Sequence, residues 1–258
     1  MIDIHNHLLP GLDDGARDID ETLQMCRMAV EDGIRAIVAT PHSFDGKFLN
    51  QADSIKSHIR DLKAILTETG LDLTVMPGME VRIVADLHQL LADRKILTLN
   101  EGKYVLIEFH PSQIPVGFEN LARSLVASGF ALVLGHPEMN SVIQNNPAYL
   151  FKLLMRLNPW EVLIQVSADS LTGDNGFWAK RTVITLVKHN LAHIIATDAH
   201  SSLKRTPRLS GAVKAASELI GSENAMKMVQ EIPKAVLEGG AFPEIWEPIN
   251  PRRWWRIL

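Results

Sequence analysis

The chain has 258 residues, 46% hydrophobic and 22% charged, with mean hydropathy near zero, which is enough for one large core of barrel size or two smaller domains. Its net charge of −4 argues against a general nucleic-acid binder, and its single cysteine excludes a disulfide framework and suits a reducing cytoplasm. No apolar run approaches the roughly 20 residues that a membrane span needs, and Asp3 and His5 argue against a signal peptide at the start.

At the amino end, Ile2 and Ile4 alternate with Asp3 and lead into His5-Asn6-His7. This reads as a short buried strand whose carboxyl end presents two imidazoles on one side. Two such rings can chelate one divalent ion, although a lone His-x-His is more often an ordinary surface strand. The loop 8–15 follows, with Pro10, Gly11 and Gly15 as punctuation and Asp13 and Asp14 side by side. Asp18 and Glu21 form a capping-box-like start to a helix that ends near Gly33, with Ile19, Leu23, Cys26 and Val30 on one face. Cys26 therefore reads as core packing. The strand at 35–40 delivers Pro41-His42.

A second helix carries Ile55, Ile59, Leu62 and Leu66 and stops at Gly70. The strand at 73–76 runs into Pro77-Gly78-Met79-Glu80, and a short helical piece covers about 86–93. Next comes the strand at 104–109, with Glu108 near its end. A helix is expected at 118–128, then the strand at 130–134 leading into Gly135-His136-Pro137-Glu138. Another helix is expected at 142–157, then the strand at 161–166 and a helix ending near 190. Finally, the strand at 192–197 delivers Asp198-Ala199-His200.

Strand and helix thus alternate about seven times without a linker, which implies parallel strands and right-handed crossovers. The fold class is α/β, a distorted (β/α)7–8 TIM-like barrel formed as one domain over 1–258, with its chemistry at the carboxyl ends of the strands. The segment 241–258 differs: Phe242, Trp246, Trp254 and Trp255 are interleaved with prolines and with Arg252, Arg253 and Arg256. It reads as a strap packed on the barrel, with docking to a partner or an anionic surface as the sharper alternative.

The strand-end residues are His5, His7, Asp14, His42, Glu80, Glu108, His136, Asp198 and His200. Five imidazoles and four carboxylates without a thiolate suit Mn, Fe, Zn or Mg, and nine donors are too many for one ion. Two or three ions and a bridging carboxylate are implied, since four carboxylates do not stay ionised together without cations between them. Clustered ions at a barrel mouth point to hydrolysis, and a phosphate ester matches their charge. Arg205 is the best-placed guanidinium to grip such a phosphate. A cysteine mechanism is excluded, because Cys26 has Asp32, not arginine, six residues on.

These motifs, from Asp3-Ile4-His5 to Asp198-x-His200 with Asp13-Asp14-Gly15, Thr40-Pro41-His42, Gly78-x-Glu80, Ile107-Glu108-Phe109 and Gly135-His136-Pro137-Glu138 between them, resemble the PHP (polymerase and histidinol phosphatase) superfamily. Within it they are most similar to the manganese-dependent bacterial tyrosine phosphatases of capsule and exopolysaccharide loci, the CpsB/CapC type. The resemblance implies three divalent ions, manganese first, with iron, zinc, magnesium or cobalt as alternatives. His5, His7, Glu80 and Asp198 would hold one ion. Glu80, Glu108 and His136 would hold the second, and Asp14, His42 and His200 the third. Arg205, Glu80 and Glu108 would be catalytic, with hydroxide bridging the ions as nucleophile. The substrate would be the phosphotyrosine tail of a bacterial tyrosine kinase, met in the cytoplasm, with no nucleic acid or membrane span and with a homo-oligomer allowed. The family often has an arginine three residues after the motif histidine, where this chain has Met139; Lys47 or Arg208 would then supply the missing charge. A small-molecule phosphatase acting on a histidinol-phosphate-like ester and a non-catalytic metal-binding regulator of the kinase are the alternatives.

Overall fold

The computed structural model describes residues 1–157, 161–240, 242 and 247–251. In chain order it comprises β1 (Ile2–Asn6), α1 (Ile19–Glu31), β2 (Ala36–Ala39), β3 (His42–Ser43), α2 (Ala52–Thr69), β4 (Thr74–Pro77), β5 (Glu80–Arg82) and α3 (Leu87–Ala92). Then come β6 (Tyr104–Glu108), α4 (Phe118–Ala127), β7 (Ala131–Gly135), α5 (Ser141–Asn145), α6 (Ala148–Arg156), β8 (Val162–Ser167) and α7 (Ala168–Thr172). The remainder is α8 (Phe177–Lys188), β9 (Ile194–Ala196), α9 (Ser210–Ile220), α10 (Ser222–Lys227) and α11 (Glu231–Glu238).

All strand pairs are parallel, in two runs, β1-β2-β4 and β3-β5-β6-β7-β8-β9. The two runs are one ring. β3 continues β2 beyond Thr40-Pro41, where proline lacks an N–H for the ladder. β5 continues β4 beyond Gly78, whose missing side chain matters: a Cβ there would stand 2.7 Å from Val38 Cγ1. The end of β9 returns to β1 through His7 N–H to Ala199 O, 2.9 Å, and Asp198 N–H to His5 O, 2.9 Å. Among the described residues, seven strand lines therefore close a barrel, as the alternation predicts.

Period-two alternation divides the strand residues between two cores. Leu106, Val133, Leu163 and Ile194 fill the barrel, while Val105, Leu132, Ile164 and Ile195 face the outer helices. Continuing the inward series one step reaches Glu108 on β6, at the mouth. In β1 the alternation is corrected by one extra residue between Asp3 and Asn6, so Ile4 joins the inner core and His5 still faces the mouth. The opposite end is closed by Ile232 and Val236 of α11, packed with Leu99 and Tyr104.

Cys26 is buried in the outer core, where burial pushes its thiol up to about 12. Asp18 caps α1 by accepting from Glu21 N–H, 2.9 Å, but Glu21 reaches back to Arg17 N–H rather than completing the box on Asp18. The expected helix at 142–157 is two helices. Asn146 before Pro147 leaves the helical region (φ −147°, ψ 76°), because the proline ring disfavours a helical residue ahead of it, and Pro147 stands at the N-cap of α6. Three helices at 210–238 follow β9 where no element was expected.

Trp246, Trp254, Trp255, Arg252, Arg253 and Arg256 of the expected strap lie outside the described residues. Phe242 meets Tyr104 edge-on, and Ile249 N–H donates to His189 O at the end of α8, 2.8 Å. Among the described residues no helix is long and apolar enough to cross a membrane.

Candidate metal centre

The carboxyl ends of the strands bring the nine expected donors to one mouth. His5 Nε2 and His7 Nε2 lie 3.2 Å apart. Glu80 Oε2 is 3.1 and 3.3 Å from them, and Asp198 Oδ1 is 3.5 Å from both. Glu80 turns its other oxygen outward: Oε1 is 2.8 Å from His136 Nε2. Glu80, Glu108 and His136 form a second group, with Glu80 common to both. His7, His42 and His200 form a third, and Asp14 Oδ1 is 3.6 Å from both His42 Nε2 and His200 Nε2. The resemblance put Asp14 in that set without His7; here the three imidazoles are the tighter group and half-exposed Asp14 sits at its rim. A fourth group, His42, Asp45 and Glu108, includes a carboxylate that was not expected.

Nitrogen and oxygen donors without sulfur fit a divalent Mn, Fe, Zn, Co or Mg ion. A second observation agrees. Glu80 Oε2, Asp198 Oδ1, His42 Nδ1 and His200 Nε2 are buried and have no hydrogen-bond partner among the described residues. A buried polar atom without a partner costs about 1–3 kcal/mol, more when charged, and a cation removes that cost.

Protonation tells the same story. Burial would raise Glu80 and Asp198, but the imidazoles, His5 first, hold both carboxyls well below their ordinary range. The His200 imidazole, 3.6 Å from Asp14, holds that carboxyl low. Glu108 goes the other way, raised by burial and by the charge of Glu80. Burial works against a proton on His136, yet Asp198, Glu80 and Glu108 outweigh it and push the ring up to about 10. His200 is lowered, by burial and by His7. The carboxylates thus favour positive charge on His7 and His136, and a bound cation would supply that charge in their place.

Outer partners fix the rings. Asp13 Oδ2 lies 2.7 Å from His7 Nδ1 and accepts from His42 N–H at 2.9 Å. The loop that carries Asp13 presses on His7 so closely that a Cβ on Gly15 would stand 2.0 Å from His7 O. Gln165 Oε1 is 3.0 Å from His5 Nδ1 and accepts from His136 N–H. Asp3 accepts from Thr197 N–H, 2.9 Å, which ties β1 to the loop after β9. These partners turn Nε2 of His5 and His7 toward the centre. His136, Asp198 and Arg205 all have positive φ (31°, 52° and 51°), uncommon for residues with a Cβ and frequent where a side chain must be aimed.

The expected cations fare differently. Arg205 is hydrogen-bonded through Nη2 to Asp198 Oδ2, and its carbonyl accepts from His200 N–H at 2.8 Å, closing a short loop. Lys47 lies at the rim, 3.6 Å from Asp14 Oδ2 and over the Phe48 ring, which stacks on His42. Arg208 is exposed, and no described ion pair or hydrogen bond joins its side chain to the cluster. Met139 is 39% exposed and lines a small hollow with Glu108 and His136.

Missed by the reading of the sequence were Gln165, Asp13, Asp45 and Arg82, whose Nε donates to Glu108 Oε1 at 2.7 Å. Gln165 had a signal, being polar in an otherwise apolar strand run, and Asp13 stood beside the chosen Asp14. Arg82, two residues past Glu80 on the same strand face, had one too.

The family model for capsular polysaccharide synthesis, CpsB/CapC, matches residues 1–238. Tyrosine-protein phosphatase YwqE of Bacillus subtilis is 34% identical over 253 residues, 98% of each chain. Tyrosine-protein phosphatase CpsB of Streptococcus pneumoniae is 26% identical over 92% of this chain and 98% of its own. A crystal structure from the pair YwqE and CpsB, described as metal-dependent tyrosine phosphatases, superposes with a TM-score of 0.90 at 34% identity, over 97% of this chain and 99% of that one. Histidinol phosphate phosphatase of Lactococcus lactis shares the fold at a TM-score of 0.56 and 13% identity.

Proposed function

This chain belongs to the CpsB/CapC family of capsular polysaccharide synthesis, and from that premise we propose that it is a metal-dependent phosphomonoesterase acting on protein phosphotyrosine. The observation that carries this reading is the convergence of donors from separate strand ends on Glu80, whose two oxygens face two different groups. Three divalent ions, manganese first, would be held by His5-His7-Glu80-Asp198, by Glu80-Glu108-His136 and by His42-His200 with Asp14 at their rim. Bound there, they supply an activated water and positive charge for the phosphoryl oxygens.

The chain's own residues do the rest. Glu80 and Glu108 would provide the negative charge that holds such ions at the mouth. Gln165 and Asp13 keep His5 and His7 from turning. Arg205 directs its guanidinium at the mouth and offers paired N–H donors to a phosphate. Lys47 flanks the entrance, and Arg208, farther out, meets the protein that carries the phosphate. A tyrosine leaving group has a pKa near 10, so its departure needs little help from an acid. The substrate we infer is the phosphotyrosine tail of a bacterial tyrosine kinase of capsule or exopolysaccharide synthesis.

Manganese-loaded protein given a phosphotyrosine peptide and, separately, histidinol phosphate tests this. The expected result is release of phosphate from the peptide. Hydrolysis of histidinol phosphate alone would make it a small-molecule phosphatase, and binding without turnover would make it a regulator.

A further inference from the structure

Two arginines enter the mouth from strands on different sides of the ring, and each is tied to a carboxylate of the cluster. Arg205, after β9, bonds Asp198; Arg82, on β5, bonds Glu108. We propose that Arg82 is a second phosphate-binding residue, gripping the phosphoryl group from the Glu108 side while Arg205 grips it from the Asp198 side. This rests on the phosphatase reading above.

The placement follows from the strand. Arg82 lies two residues past Glu80, so both side chains leave β5 on the inward face, one step apart toward solvent. A guanidinium has five N–H donors in a fixed fork. Two are used: Nε–H goes to Glu108 Oε1 at 2.7 Å and Nη1–H to Asp45 O at 3.3 Å. Three remain without a partner among the described residues, and the side chain is 32% exposed at the mouth. The two anchors hold the plane of the fork still, so a phosphate would lose little side-chain entropy on meeting it.

No other cation among the described residues is as well placed on that side. Lys47 is 66% exposed and paired with Asp14 across the rim. Arg208 has no described contact with the cluster. Met139, which shares the hollow beside Glu108, contributes a thioether and no charge. Among the described residues, the Glu108 side would otherwise offer a phosphate dianion no lysine or arginine beyond Lys47 at the rim.

The competing role is purely positional, with Arg82 serving only to hold Glu108. Arg82→Ala, Arg82→Gln and Arg82→Lys, loaded with manganese, separate the two. Metal content is read by elemental analysis and inorganic phosphate binding by calorimetry, alongside KM and kcat on a phosphotyrosine peptide. Expected are full metal content, phosphate affinity weakened about tenfold or more in the Ala and Gln variants with KM raised to match, and partial recovery in the Lys variant. Unchanged phosphate affinity at full metal content would overturn the proposal. So would loss of metal with unchanged phosphate affinity per loaded site. Should the Ala variant not fold, the Gln variant, which keeps a donor for Glu108 without the charge, decides between the two roles. Wild-type protein that binds phosphate but hydrolyses no monoester would sink the phosphatase reading while leaving Arg82 to be judged by the same affinities.

Discussion

The two ends of this barrel are built from the same strands, yet they treat a buried imidazole in opposite ways. At the mouth, burial opposes a proton on His136, but Asp198, Glu80 and Glu108 push its pKa up to about 10. At the amino end of β9, His193 accepts from Ile164 N–H at 2.9 Å, and burial alone pushes it down to about 4. Loss of solvent opposes a proton on both rings, although the His136 side chain keeps 13% exposure; the local surplus of negative charge is found at the mouth alone. That surplus makes one end a cation site, while Ile232, Val236 and Leu99 make the other a plain core.

Removing a donor from the mouth should have the largest effect. His136→Ala or Asp198→Ala should lower bound metal and abolish turnover together, by more than the roughly 10–100-fold typical of outer partners. Elemental analysis beside phosphatase assay checks it, and an active variant of either kind would show that the centre lies elsewhere.

A cut at the other end should spare chemistry and cost stability. Ile232→Ala should lose about 2–5 kcal/mol in urea unfolding, with metal content and kcat unchanged. A drop in metal content would mean that the two ends are not independent.

Between these extremes, Gln165→Ala should weaken metal binding or activity by about 10–100-fold, because His5 loses the partner that orients it. Metal titration of the apo protein measures this; wild-type affinity would strip Gln165 of its role.

The last effect belongs to His193; it leaves the mouth untouched and shows only in acid. Its ordinary pKa of 6.5 in the unfolded chain exceeds the folded value of about 4, so between these pH values the unfolded state binds more protons. Stability should therefore fall as pH drops from 6.5 to 4, by about 3 kcal/mol from this group, with no contribution above 6.5. His193→Asn should flatten that part of the stability–pH curve, as followed by denaturant unfolding, and a curve of unchanged slope would refute it.

The mouth was legible in the chain because its donors sit where apolar strands end, so His5, Glu80, Glu108, His136 and Asp198 each stand out from their neighbours. Their outer partners are harder to read: Gln165 stands out in its apolar strand, but that it serves both His5 and His136 depends on which strands are adjacent, a fact of closure rather than of local pattern. The barrel was legible from the alternation, and the break at Pro147 was not, although the residue type carries it. The helices after 208 were not foreseen because they follow the last strand, where strand–helix alternation no longer marks them. Arg82 carried a signal only through Glu80, whose strand face it shares two residues on; taken alone, a cation at a strand end looks like an ordinary solvated charge.

The central claim is that the donors share ions through Glu80. Anomalous scattering from crystals grown with manganese tests it most directly. The account predicts three peaks within the ring of His5, His7, His42, His136 and His200, with Glu80 touching two of them. A mouth without peaks, or peaks bound elsewhere on the barrel, would contradict it.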